Sequence, residues 1–99
     1  MDYKYLDALE DPELRRRVRE TLESPTAAPG RSALMDDLNV SMDHSEDSRK
    51  RHKARLIDAE KTIVANDRER VIKSHQAQVD KYERIIEATR LALEAVSNQ

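Results

Sequence analysis

The clearest apolar pattern lies near the C-terminus. His75, Val79, Tyr82, Ile86, Thr89, Leu93 and Val96 follow one another at alternating steps of four and three residues. That spacing is a heptad seam, the stripe by which one helix packs along another. Further upstream, Ile57, Val64 and Val71 recur every seven residues, but Lys61 and Arg68 hold the alternate positions. The two halves meet through an extra four-residue step, Val71 to His75 to Val79, a stutter that locally unwinds a supercoil. Leu56, Ile63, Ile72 and Ile85 widen the stripe to one side, which suits a bundle or a groove better than a strict two-stranded zipper.

These positions predict one long helix over 43–96. Asp43 is a good N-cap, Glu46 stands three residues later as in a capping box, and no proline or glycine follows before Val96. At 1.5 Å per residue such a helix is a rod of roughly 80 Å. The N-terminal part reads as short helices. Tyr3, Leu6 and Leu9 share a helical face. Asp11-Pro12-Glu13 is a strong start signal, followed by Leu14, Val18 and Leu22. Ser24-Pro25 ends that helix, because proline disfavours the α conformation in the residue before it. The expected organisation is all-α: a helical arm over 1–23, a Pro/Gly linker with a short helical turn over 24–42, and a long charged amphipathic helix in 43–99.

Composition sharpens what this helix needs. Of 99 residues, 38% are charged, only three are aromatic (all tyrosine) and none is cysteine. Large apolar side chains are few and strung out, so a partner surface is expected to supply part of the buried area. Two arrangements offer one. The stripe can pack back on Leu6, Leu9, Leu14, Val18 and Leu22 of its own chain, or it can associate with another chain. Short N-terminal helices cannot cover an 80 Å rod, which favours association.

The net charge of −2 conceals a strong asymmetry. Residues 24–48 hold five acidic and one basic side chain, whereas 49–61 hold six basic and two acidic. The basic run contains Arg49, Lys50, Arg51, Lys53 and Arg55, a candidate contact for phosphate or an acidic partner. A basic helix ahead of a zipper is one way to enter the DNA major groove. Here, however, no asparagine is present in the run to read a base edge, and Lys61 and Arg68 interrupt the seam. A solvated basic face is the simpler reading. Arg15, Arg16, Arg17 and Arg19 form a second cluster, flanked by Glu13, Glu20 and Glu23 at pairing distance on a helix surface.

Candidate chemistry changes little. His44, His52 and His75 form no i, i+4 pair and no metalloprotease motif. No calcium-loop spacing is present, and one glycine cannot build a phosphate loop. The expectation is a non-catalytic protein with no cofactor, metal or small-molecule substrate, acting through helix–helix association. The first 23 residues would dock on a neighbour through Tyr3, Tyr5, Leu6 and Leu9. A protein partner or a second copy is expected. A nucleic-acid-associated regulator using 49–55, or a helical inhibitor lying in a partner's groove, is the alternative. No apolar run approaches a membrane span and the first residues have no signal-peptide shape, so the expected location is cytoplasmic or within a particle assembled inside a cell. Twelve arginines against six lysines hint at GC-rich coding, as in bacteria or phages, and a virion or phage subunit fits this profile.

Overall fold

A computed structural model describes residues 3–23, 30–62 and 65–98; the side chains of residues 62, 65 and 66 lie outside that description. The described residues are helical almost throughout and contain no strand. A 3₁₀ helix, Lys4–Ala8, precedes α1 (Pro12–Glu23), α2 (Arg31–Thr62) and α3 (Ala65–Ser97).

Helix α1 begins where the sequence signals it. Asp11 caps it, its Oδ1 accepting the backbone N–H of Glu13 at 2.9 Å, with Pro12 at the first helical position. Its exposed face is laced by Arg16, which pairs with Glu13 and with Glu20. Both pairs lift the guanidinium further above its ordinary pKa, and the Arg16 hydrogen bond holds the Glu13 carboxyl below its own. Leu14, Val18 and Leu22 are buried on the opposite face.

Helices α2 and α3 lie antiparallel as a hairpin. Leu34 and Leu38, near the start of α2, share a core with Ala88, Ala92 and Val96 of α3. Farther along, His52 meets His75, and Lys53 pairs with Glu83. Small side chains line much of the contact: Ser45, Ser48 and Ala59 on α2, and Ala88, Thr89 and Ala92 on α3 are all buried. Small residues let helix axes approach closely. The Thr89 hydroxyl is satisfied by donating to the Ile85 carbonyl at 2.7 Å.

The 3₁₀ helix and α1 complete a third layer at one end only. Leu6, Leu9, Leu14, Val18 and Leu22 pack on Leu34, Leu38, Ala88, Ala92 and Val96. Two ion pairs clamp this layer, Arg17 to Asp37 of α2 and Lys81 of α3 to Glu10, each at 2.6 Å. The molecule measures 58 × 22 × 19 Å.

The all-α class, the short N-terminal helices and a long C-terminal helix agree with the sequence reading; the helix bounds differ. The stretch 43–96 is shared between two helices, and Ile63 and Val64 between them lie outside the described residues. Asp43 is an exposed residue inside α2 rather than a cap. Residues 31–42, expected to be linker and a short turn, are the first turns of α2, while 24–29 lie outside the described residues. The reason is energetic. Good helix formers permit a continuous rod but do not demand one, and tertiary packing supplies most helical stability. A hairpin buries the stripe within the chain at a modest loop-closure cost.

Candidate association surface

The predicted seam is largely consumed inside the molecule. Val79, Thr89 and Val96 are buried, and Val71, His75, Tyr82, Ile86 and Leu93 are half-buried. The buried face is broader than the strict heptad: Ile85, Ala88 and Ala92 are buried beside it, and they lie deeper than Ile86 and Leu93. Ile57 is outside the seam altogether, 52% exposed on α2. Val64 lies outside the described residues. The predicted N-terminal docking surface is likewise occupied within the chain. Leu6 and Leu9 are buried in the core, Tyr3 and Tyr5 pack against it, and the Arg19 guanidinium stands 5.9 Å over the Tyr3 ring. Burial, with Tyr3 nearby, raises the Tyr5 phenol above its ordinary pKa.

Beyond this capped body, the described residues of 49–76 form a two-helix arm, and no third layer rests on its apolar residues among the described residues. Leu56, Val71 and Ile72 are half-buried there. The arm carries nine basic and four acidic residues, a surplus of five positive charges; the rest of the chain has nine basic and sixteen acidic. Within the predicted basic run, Arg51 donates to the Ser48 hydroxyl and Lys53 pairs loosely with Glu83 at 3.7 Å. Arg49 is half-buried; Lys50 and Arg55 are exposed, and no ion pair involves these three among the described residues.

Where arm meets body, His52 and His75 place their Nδ1 atoms 3.3 Å apart, and Tyr82 stacks on His52 at 5.9 Å between ring centroids. One histidine must donate and the other accept, so the contact needs at least one neutral ring. Burial, then the charges of Arg55, His75, Arg51 and Lys81, push the His52 pKa below the ordinary histidine value. The two residues are 23 apart in sequence, and only the hairpin topology brings them together. No group of three or more potential metal ligands occurs among the described residues.

A cleft of about 420 Å³ opens between the start of α1, α2 and α3. Leu9, Leu14 and Ile85 contribute apolar wall, Glu10, Asp11 and Asp37 line it with carboxylates, and Val40 belongs to it while remaining 67% exposed. No helix of the described residues is long and apolar enough to cross a membrane. No protein-family model, curated protein or solved structure matches this chain.

Proposed function

We propose that this chain is a non-catalytic assembly protein that acts by helix–helix association. The observation that supports this most is the unequal covering of the hairpin. The body is covered by the 3₁₀ helix and α1, whereas among the described residues the arm has no third layer, with Ile57 exposed and Leu56, Val71 and Ile72 half-covered. Apolar side chains on such an arm gain free energy when a further helix covers them. A small subunit of a larger complex, of which a phage or virion particle is one example, would present such an arm. The test is the native mass of the protein, purified and in an extract of its source. A species larger than the 11.4 kDa chain is expected in at least one of the two. A monomer in both contradicts the reading.

A second reading has its own support, the positive surplus of the arm. Phosphate neutralisation by Lys50, Arg51 and Arg55 would give binding to duplex DNA at low salt, falling steeply as salt rises. Absence of binding at low salt excludes that reading.

A further inference from the structure

Only two large apolar side chains are strongly exposed among the described residues, Val40 and Ile57, and both lie on α2. They belong to a second stripe on that helix. Asp36, Val40, Asp43, Asp47, Lys50, Ala54, Ile57 and Lys61 succeed one another at alternating steps of four and three, and every one is exposed. This line runs along the face opposite Leu34, Leu38, Ser45, Ser48 and Ala59, which are buried against α3 and the N-terminal layer. It is therefore a line of exposed residues at heptad spacing that no other described element covers, separate from the stripe spent inside the hairpin. Five of its residues are charged, yet the side chains of Asp36, Asp43, Asp47, Lys50 and Lys61 make no ion pair or hydrogen bond among the described residues.

The order of residues along the stripe identifies its occupant. Lay a second α2 against it, antiparallel, with the two-fold axis between Ser48 and Arg49. Asp36 then faces Lys61 of the second copy, Val40 faces Ile57, Asp43 faces Ala54, and Asp47 faces Lys50. The pairs interleave as the seam positions of an antiparallel coiled coil require, and the two-fold axis repeats each of them. The result is four ion pairs and two apolar layers over roughly 38 Å of helix. A parallel arrangement would set Asp against Asp and Lys against Lys, so charge alone selects the antiparallel one. The flanks are mixed, with one like-charge pair, Asp37 facing Glu60. Glu46 meets Arg51, while Asp37 and Lys53, which meet Glu60 and His44, are already engaged by Arg17 and Glu83 of their own chain.

We propose that the solvent face of α2 is the interface of an antiparallel homodimer of this chain, centred between Ser48 and Arg49. This rests on the association reading and names its partner. Four apolar side chains make a modest contact, so dissociation falls in roughly the micromolar to millimolar range.

The test uses the full chain in analytical ultracentrifugation, with circular dichroism as a check that the exposed substitutions leave the fold intact. Asp47→Lys and Lys50→Asp should each weaken the dimer at least tenfold, because each turns two attractions into two repulsions. An equimolar mixture of the two variants should recover a heterodimer, since all four charges at the centre are again opposite. The double swap should also dimerise. Val40→Cys mixed with Ile57→Cys should form a disulfide cross-link under added oxidant, whereas either variant alone should not. A purified chain that self-associates with no response to these swaps overturns the interface and leaves the association reading standing. A chain monomeric when purified but part of a larger species in its source does the same. A monomer in both settings overturns the two together.

Discussion

Among single residues, burial separates those that hold the fold from those left for a partner. Leu38 is fully buried where α1, α2 and α3 meet, so Leu38→Ala should cost about 2–5 kcal/mol and lower the melting temperature by many degrees. Ile57→Ala should shift it hardly at all, because that side chain is half out in solvent. Thermal melts of the two variants check this. His52 sets a pH dependence. Its pKa is lower in the fold than in the unfolded chain, through burial and through Arg55, His75, Arg51 and Lys81. The stability it contributes is therefore present above the ordinary histidine range and is lost as pH falls below it. The hairpin should melt at lower temperature at pH 5 than at pH 7, and His52→Asn should reduce that acid sensitivity. An unchanged pH profile in the variant would remove His52 from the account.

The individual helices were unequally legible in the sequence. The start of α1 is written in Asp11-Pro12-Glu13, and the cap forms as read. Asp11→Ala should cost about 1 kcal/mol by leaving first-turn N–H groups without a partner, measurable by urea unfolding. The junction of α2 and α3 was not legible, because the surrounding residues, including Lys61, Asp67 and Arg68, are all compatible with an uninterrupted helix. Nor was the deep line through Ser45, Ser48, Ala88 and Ala92. Serine and alanine carry no strong apolar signal, and they are buried because two helices approach closely there. The outer stripe on α2 is hidden in the sequence for a related reason. Five of its eight members are charged and so carry no apolar periodicity. Its regularity appears only once Arg31–Thr62 is known to be one helix and its inner face is known.

For the whole molecule, the distribution of charge matters more than its sum. The acidic first half and basic second half of α2 make the helix complementary in charge to an inverted copy of itself. Because the contacts are exposed ion pairs, the dimer should weaken several-fold between about 0.05 M and 0.5 M salt as screening shortens their reach. The fold of each chain, held by the leucine core, should change little over that range. This separates the two readings of the basic arm only when DNA is present, since both interactions fall with salt.

Sedimentation equilibrium of the purified chain over a range of concentration at low salt is the most direct measurement. A reversible exchange between the 11.4 kDa chain and a species of twice that mass, shifted toward the monomer by Asp47→Lys or Lys50→Asp alone and restored when the two variants are mixed, is the predicted result. A single 11.4 kDa species at every concentration up to about 1 mM, or an oligomer indifferent to both charge swaps, would contradict it.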